Sequence, residues 1–275
     1  MGMGECTGKY FIENGVLKAS ESFNVSMIYQ GELVYEVLRV IEGIPLFFED
    51  HIERLDESLS LSNHPPLAAN SDLIDHIRLL VRENGIENGN VKIIYHFNGA
   101  INLYMVYFIE ARYPDDQMYK TGVDTILFYA ERKTPAAKIF NFRLRSSISD
   151  ALVRKSAYEA LLVNMDNCIT EGSRSNVFFI MGNHLITADD KYVLGGITRK
   201  YVKQLCYEKN IPVVFRCLPA SELHHVDAVF LSGTSPQILP VRSVGEYLFS
   251  VDHPVLGTLL NGYSEKARSY VTLHR

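Results

Sequence analysis

The stretch from Tyr158 to Ile180 constrains the fold most, because it predicts three strands in succession. It reads YEALLVNMDNCITEGSRSNVFFI: an apolar strand, a tight turn, a second strand, a small polar loop and a third strand. Glu171 stands at the end of the second strand. Strand ends that face loops carry the chemistry in open α/β and barrel-like folds. Glu171 is therefore a candidate functional residue, and the rest of the chain can be searched for its partner.

The chain before this stretch predicts two hairpins, two helices and a longer strand pair. Turn residues stand at Asn14-Gly15, within a hairpin over residues 8–19, and at Glu42-Gly43 and Asn98-Gly99. Apolar residues at helical spacing predict helices over Glu49–Leu61 and from a capping Ser71 to Asn84-Gly85. The predicted strands are Val34–Val40, Pro45–Phe48, Val91–Phe97 and Leu103–Ile109.

Tyr113-Pro114-Asp115-Asp116 marks a domain boundary, with a small α+β domain over residues 1–118 and a larger β-rich domain over 119–275. The larger domain has the three strands of the opening stretch and alternating further elements. The helices predicted there are Ser147–Lys155, Gly196–Glu208 and Val255–Val271. The further strands are Thr125–Tyr129, His184–Thr187, Val213–Arg216 and Ala228–Ser232.

Composition excludes two classes of protein. The 275 residues are 47% apolar and 21% charged, which is typical of a globular chain of one large domain or two modest ones. A net charge of −5 without a basic stripe argues against nucleic-acid binding. The longest apolar runs, such as Ile101–Ile109, are too short and too polar to cross a bilayer. Residues 1–6 show no secretory signal, so we expect a cytoplasmic protein.

The four cysteines and the adjacent histidines predict no metal site. Cys6, Cys168, Cys206 and Cys217 lie far apart and form no CxxC pair, so reduced and mostly buried thiols are expected. The pair His224-His225 stands near a predicted helix end. Because adjacent residues on a helix do not converge on one ion, a solvated cap is the better interpretation.

Five short features follow one another in an order that points to one family. They are Arg54 within Asp50-His51-Ile52-Glu53-Arg54-Leu55, Lys138 within Lys138-Ile139-Phe140-Asn141, Glu171 within TEGSRSN, the run Leu194-Gly195-Gly196-Ile197-Thr198-Arg199 before a helix, and Ser232-Gly233-Thr234-Ser235 after a strand. Together they resemble the fold type IV enzymes that use pyridoxal phosphate, the class IV aminotransferases. The resemblance covers Val34 to Val241 and implies a two-domain fold, with a small α+β domain and a larger β-barrel-like domain with helices.

A pyridoxal-phosphate enzyme needs a lysine that holds the cofactor as an imine and later moves protons at the substrate Cα. Lys133, Lys138 and Lys155 are candidates. The resemblance selects Lys138, because the family places Lys-x-x-Asn about 33 residues before its glutamate. Lys133 is the second choice, and a solvated surface lysine is the alternative.

The resemblance also assigns the cofactor's ring to Glu171 and Leu194. A carboxylate beside the pyridine nitrogen keeps it protonated, so the ring withdraws charge from the substrate. Glu171 is the expected carboxylate, and Leu194 is expected to pack on one face of the ring. Taken alone, Glu171 could equally accept backbone N–H bonds in its turn, and Leu194 could be core.

The phosphate of the cofactor needs hydrogen-bond donors. Ile197 and Thr198 follow Gly196 at a predicted helix start, where unpaired N–H groups and the helix dipole attract an anion. Arg54 would add a bidentate cation and Thr234 a hydroxyl. A Gly-Gly pair before a helix often marks only a turn, so this motif indicates a phosphate site only in combination with the other features.

The substrate's own carboxylate has no obvious partner. The D-amino acid aminotransferases and the lyases of the family carry an Arg-Gly where this chain has Asn98-Gly99. Tyr35 matches an aromatic residue bordering the substrate pocket, although a half-buried strand tyrosine is the equal alternative. Ser235 matches a backbone donor to the carboxylate. Arg174 stands where the family has a small residue; our hypothesis is that Arg174, or Arg143 or Arg145, supplies the missing cation. The alternative is that Arg174 points to solvent or to a partner subunit.

The sequence therefore predicts a pyridoxal-phosphate aminotransferase that moves an amino group between an amino acid and a 2-oxo acid. The first alternative is 4-amino-4-deoxychorismate lyase, which uses the same lysine and glutamate. The second is a family member that binds without turnover, which an intact Lys138 and Glu171 oppose. The resemblance implies a homodimer that binds small-molecule substrates.

Overall fold

The structure is a computed structural model that describes residues 5–26, 31–99 and 101–275. These residues form two compact units. The first takes the described residues up to Arg112, together with Ala137–Phe140 and Ala267–Arg275; the second takes Tyr113–Ala136 and Asn141–Lys266. The domain boundary after residue 118 stays a prediction. The interpretation of residues 1–6 as free of a secretory signal falls partly on residues 1–4, outside the described part.

The first unit has one antiparallel sheet and two helices, with the strand order β2-β1-β6-β5-β3-β4. The helices are α1 (Phe48–Leu61) and α2 (Asn70–Asn84). The strands are β1 (Tyr10–Glu13), β2 (Val16–Ala19), β3 (Glu32–Ile41), β4 (Ile44–Pro45), β5 (Gly89–Asn98) and β6 (Ile101–Ile109).

Alternation along β3 divides the core of this unit between two faces. Val34 and Leu38 belong to one apolar cluster, which also contains Leu55 of α1 and Ile77 of α2. Tyr35 belongs to a second cluster with Leu33 and Ile94. Glu36 follows the parity of Val34 and Leu38 and is therefore a charged residue among inward-facing apolar ones.

The second unit has a ten-stranded mixed sheet with the order β12-β11-β10-β14-β15-β7-β8-β9-β13, and β16 pairs with β15. The helices are α3 (Asp116–Thr121), α4 (Phe142–Lys155), α5 (Ile197–Glu208) and α6 (Pro254–Leu273), the last of which ends within the first unit. The strands are β7 (Val123–Tyr129), β8 (Glu159–Val163), β9 (Cys168–Gly172), β10 (Asn176–Met181), β11 (His184–Thr187), β12 (Val213–Phe215), β13 (Leu218–Pro219), β14 (Ala228–Gly233), β15 (Gln237–Val244) and β16 (Tyr247–Leu248).

The opening stretch has the predicted form: β8, a turn, β9, a short loop and β10. β9 pairs antiparallel with β8, and β10 pairs with β14, so the loop after Glu171 runs from one strand pair to another. Its apolar side chains Leu161, Ile169 and Phe179 enter one buried cluster. This burial holds the end of β9 rigidly in place.

Three helix or strand ends differ from the prediction. The strand predicted over Pro45–Phe48 instead ends at Pro45, the last residue of β4, because Phe47 has a left-handed backbone (φ 54°) and α1 begins at Phe48. Ser71 is not a cap: α2 begins one residue earlier, at Asn70. α4 begins at Phe142 rather than Ser147, because the Asn141 side chain caps it by accepting a hydrogen bond from the Leu144 N–H.

The thiols are less buried than predicted. Cys206 on α5 is fully buried, whereas Cys6, Cys168 and Cys217 are partly exposed. Cys168 opens β9 directly after a turn, and Cys217 lies in the short connection before β13, so both stand at strand ends rather than within a helix or strand that the core covers. Burial raises the pKa of the Cys206 thiol to about 12, so it behaves as an apolar core residue.

A search of the described ranges finds no helix with the length and hydropathy that a membrane span requires.

Candidate active site

In the first unit, Lys138 lies on a short extended segment that extends the sheet at β3. The Tyr35 N–H donates to the Lys138 carbonyl at 3.1 Å, and the Phe140 N–H donates to the Leu33 carbonyl at 3.0 Å. The Lys138 N–H in turn donates to the hydroxyl of Ser58 on α1 at 3.1 Å. These three bonds fix the backbone of Lys138 beside both β3 and α1.

The Lys138 ammonium belongs to a buried cluster around the carboxylate of Glu36. Arg54 donates from Nε to Oε2 at 2.9 Å and from Nη2 to Oε1 at 2.6 Å, a bidentate pair. Oε1 also faces the Val37 N–H at 2.7 Å, Nδ1 of His51 at 3.2 Å and Nζ of Lys138 at 3.4 Å. The Glu36 side chain is fully buried and the Lys138 side chain is 12% exposed.

Two cations lie beside the Glu36 carboxylate in this cluster, and they determine whether Glu36 is ionised. Burial raises the pKa of Glu36, but the charges of Arg54 and Lys138 outweigh burial and hold that pKa well below its usual range. Burial lowers the pKa of His51 against the opposing effect of Glu36, so His51 is neutral near pH 7 and donates to the carboxylate. Glu36 therefore stays ionised.

Tyr35 lies next to this cluster. Its ring is 8% exposed, and the ammonium groups of Lys138 and Lys92 each lie 5.4 Å from its centroid. The two ammonium groups are thus at most twice that distance apart. Lys133, the second choice for the cofactor lysine, is exposed.

In the second unit, Glu171 lies buried at the end of β9 with both oxygens engaged. Oε1 accepts from Nη1 of Arg132 at 2.9 Å, and Oε2 accepts from the Leu194 N–H at 3.0 Å. Burial raises the pKa of Glu171 above its usual range, although Arg132 opposes this effect. Glu171 and Leu194, the two residues that the resemblance assigns to the cofactor's ring, are therefore in direct contact through the Leu194 backbone.

The N-terminus of α5 is open to an acceptor. Gly196 is the residue before the helix, and its first turn has no side-chain cap. A Cβ on Gly196 would lie 2.0 Å from Oδ1 of Asn176, whose amide donates to the Leu194 carbonyl at 2.9 Å. The glycine is thus required by close packing. Thr198, also buried, has its hydroxyl 3.3 Å from that of Tyr263 on α6.

The family is decided by comparison with known proteins. The sequence model described as "Amino-transferase class IV" matches residues 33–244, about three quarters of the chain. This chain belongs to the class IV aminotransferases. It is accordingly an enzyme of the aminotransferase type, and the predicted family is confirmed.

Relatives and solved structures agree with this membership. A probable branched-chain-amino-acid aminotransferase from Thermotoga maritima is 29% identical over 240 residues, 84% of either chain. D-alanine aminotransferase from Bacillus licheniformis is 26% identical over 225 residues, 78% of this chain and 79% of that one. The crystal structure of the branched-chain amino acid aminotransferase from Escherichia coli superposes with a TM-score of 0.84 at 22% identity, covering 94% of either chain. The predicted fold class is confirmed.

The remaining predicted residues of this aminotransferase lie in or beside loops. The loop after Glu171 is fastened by the buried carboxylate of Glu159, which accepts from the hydroxyls of Ser173 and Ser175 and from the Arg174 N–H at 2.6–3.2 Å. The Arg174 side chain itself is exposed, and its guanidinium reaches the Tyr158 carbonyl at 3.4 Å.

Two other groups of predicted residues occupy turns and surfaces. Thr234 and Ser235 lie in the tight turn between β14 and β15, both partly exposed. Asn98, the position where the family's arginine was sought, is exposed at the end of β5. Arg143 is exposed and Arg145 is partly exposed on α4.

Sequence reasoning missed three charged or polar groups of this site: Glu36, His51 and Arg132. A signal existed for Glu36, since a carboxylate alternating with Val34 and Leu38 has to face the core and must be paired there. His51 stands three residues before Arg54 and so shares its helix face. No pattern in the sequence distinguishes Arg132 from its neighbours.

Proposed function

We propose that this enzyme transfers an amino group between an amino acid and a 2-oxo acid, with pyridoxal 5'-phosphate attached through Lys138. The observation that carries the proposal is the Lys138 ammonium itself. A lysine side chain that is 12% exposed is costly to bury, and this one shares a carboxylate with Arg54, the predicted phosphate ligand.

The residues present fit such a cofactor. The N-terminus of α5 has no side-chain cap, so the N–H groups of Ile197 and Thr198 suit a phosphate, with the Thr198 hydroxyl beside them. Each oxygen of Glu171 accepts a hydrogen bond and has a second lone pair. A protonated pyridine nitrogen could therefore be accepted without displacing Arg132. We also propose Leu194 against one face of the ring and the Thr234 hydroxyl at the phosphate.

Pyridoxal phosphate, when bound, supplies a ring that withdraws electrons from the substrate Cα. Lys138 would then have two tasks: its Nζ would hold the cofactor, and the same Nζ, when released, would move the proton of the substrate Cα. Glu171 would hold the proton at the pyridine nitrogen. Arg132 lowers the pKa of the Glu171 carboxyl against the effect of burial and so favours its ionised form.

For the substrate we retain Tyr35, Ser235 and Arg174 as the proposed contacts, with Tyr35 at the border of the pocket and Ser235 and Arg174 at the carboxylate. Tyr35 is supported by the nearness of its ring to the Lys138 ammonium. Arg174 is supported by its reach: the loop backbone is fastened to Glu159 while the guanidinium is exposed. Replacing Arg174 with alanine should raise the Michaelis constant of the preferred substrate, and an unchanged constant would remove it from the site.

The test of the proposed function is spectroscopic and catalytic. The purified enzyme should bind pyridoxal phosphate with a visible absorption band, and Lys138→Ala should lose that band together with turnover. Lys133→Ala, with an exposed lysine five residues away, is the matched control and should keep both. Uptake of the cofactor as an unattached molecule by wild-type enzyme, or an unaltered band in Lys138→Ala, would contradict the proposal.

A substrate panel then separates transfer from lysis. Branched-chain L-amino acids and D-alanine are the first donors to try, because relatives carry those names. Release of pyruvate from 4-amino-4-deoxychorismate without a 2-oxo acid acceptor would instead assign the lyase reaction. We also propose a cytoplasmic homodimer; the mild net charge and the four cysteines without disulfides support the compartment. Light scattering of the holoenzyme tests the dimer.

A further inference from the structure

We propose that Glu36 is a positioning residue that docks the unattached Lys138 ammonium and thereby sets the pH at which this amine becomes nucleophilic. The inference rests on the proposed function in one respect, the role of Lys138 as the attachment point. It assigns a function to Glu36, a residue of β3 that touches neither substrate nor cofactor in the proposed scheme.

The geometry ranks the donors around Glu36, and Lys138 comes last. Four donors face Oε1: the Val37 N–H, Nη2 of Arg54, Nδ1 of His51 and Nζ of Lys138, at 2.7, 2.6, 3.2 and 3.4 Å. A carboxylate oxygen has two lone pairs. The backbone and Arg54 occupy them at short range, so Lys138 holds the weakest contact.

Helix α1 holds both Glu36 and Lys138 in place. Arg54 and Ser58 lie one turn apart on α1, and the Ser58 hydroxyl donates to the Arg54 carbonyl at 2.8 Å while accepting the Lys138 N–H at 3.1 Å. The helix that orients the carboxylate through Arg54 thus also fixes the backbone of the lysine. Nζ has only its own side-chain torsions with which to move.

The charge balance allows the lysine to lose its proton in place. Arg54 remains paired with Glu36 whether Lys138 is charged or neutral, so deprotonation leaves no buried carboxylate uncompensated. The groups facing Lys138 are Glu36 and Tyr35 from β3 and His51 and Arg54 from α1, with Lys92 of β5 across the Tyr35 ring. Among these groups Glu36 is the carboxylate that the Lys138 ammonium contacts, and it favours the charged form; Glu5, a further carboxylate on this side, pairs with Lys92.

Removing that carboxylate should therefore make Lys138 reactive at lower pH. The experiment strips the enzyme of cofactor and treats it with trinitrobenzenesulfonate from pH 6 to pH 11. Modification is quantified by mass spectrometry on the tryptic peptide from Thr134 to Arg143. In Glu36→Gln we expect the labelling midpoint to fall by about one pH unit or more, which is an approximately tenfold faster reaction on the acidic limb.

Two variants distinguish positioning from a merely structural role. Glu36→Asp keeps the charge at a greater distance, so its midpoint should lie between those of wild type and Glu36→Gln. It also carries the test alone if Glu36→Gln does not fold. Glu159→Gln removes a buried carboxylate whose contacts include no lysine and should leave the midpoint unchanged. An unaltered midpoint in a folded Glu36 variant overturns the inference, as does an equal shift in Glu159→Gln.

The outcome is independent of the proposed function. Labelling reports on the apoprotein, so a shifted midpoint stands even where Lys138→Ala retains the visible band. Conversely, loss of the band in Lys138→Ala together with an unshifted midpoint in Glu36→Gln would retain the proposed function and reject the docking by Glu36.

Discussion

Each of the two units of this aminotransferase buries one candidate carboxylate, and the pKa values of the two carboxyls are shifted in opposite directions. Glu36 accepts from a backbone N–H, from Nε and Nη2 of Arg54 and from His51, and it forms an ion pair with Lys138. Glu171 accepts from Arg132 and from the Leu194 N–H. The pKa of Glu36 is held well below its usual range, whereas burial raises the pKa of Glu171.

Burial is nearly the same for both, at 0% and 3% exposed, so it cannot be the cause of the difference. The cause is the set of cations in contact with each carboxylate: Glu36 has Arg54 and Lys138 beside it, and Glu171 has Arg132, which is itself partly exposed. A carboxylate with more donors than lone pairs is an internal anchor. One with spare lone pairs and a raised pKa is ready for another donor, as a ligand-binding carboxylate must be.

The largest expected effect is on stability at Glu36. Glu36→Gln should lower the free energy of unfolding by about 3–5 kcal/mol at pH 7, because it leaves the buried guanidinium of Arg54 without its carboxylate. Urea denaturation of the apoprotein measures this. Glu159→Gln is the control. It loses hydrogen bonds from hydroxyls but leaves no cation without its carboxylate, so we expect the free energy of unfolding to fall by about 1–2 kcal/mol. Equal costs for the two variants would show that Glu36 is not an ionic anchor.

Glu171→Gln should produce the reverse pattern. Arg132 is 21% exposed at its side chain and can be rehydrated, so the stability at pH 7 should change by less than about 1 kcal/mol. Turnover should nevertheless fall about a hundredfold or more, since the amide cannot hold the proton at the pyridine nitrogen. Steady-state kinetics and urea denaturation on the same preparation test both halves. A variant as unstable as Glu36→Gln would break the comparison.

Arg132→Met should have a smaller effect that depends on Glu171. Without the guanidinium, the pKa of Glu171 should rise further, and we expect a stability loss of about 1 kcal/mol at pH 7. In the Glu171→Gln background the same substitution should cost less, because no carboxylate is left to compensate. The double-mutant cycle measures this coupling. Additive effects would mean that Arg132 does not support Glu171.

The sequence predicted one of the two carboxylates and not the other, for a physical reason. Glu171 stands in a turn motif whose residue types are visible locally. Glu36 stands in an apolar strand, and its partners come from α1 and from the segment of Lys138, about a hundred residues away. Alternation along β3 shows that Glu36 must face inward, but only the folded chain shows which cations meet it.

Local boundaries failed for related reasons. The left-handed backbone at Phe47 cannot be inferred from a phenylalanine, so the predicted strand Pro45–Phe48 extends past the observed end of β4. The start of α4 depends on a single cap, Asn141, which in the sequence stands out only as the last residue of the lysine motif. Long periodic elements such as α5 and α6, by contrast, are predicted to within a few residues.

The smallest and most discriminating effect is the pH dependence of stability. The pKa of Glu171 is raised in the folded protein, so its contribution is complete below about pH 4.5 and is lost as the pH rises through the folded value. The stability of wild-type apoprotein relative to Glu171→Gln should therefore fall on going from pH 4.5 towards neutrality, by at most about 1.4 kcal/mol per pH unit.

For Glu36, whose pKa is lowered, the contribution to stability is complete above about pH 4.5 and is lost only as the pH falls through the folded value. Wild type should keep its full advantage over Glu36→Gln near neutral pH and lose it in acid. Urea denaturation of the three apoproteins at several pH values measures both slopes, and slopes of the same sign would show that the cations around the two carboxylates do not set their charge states.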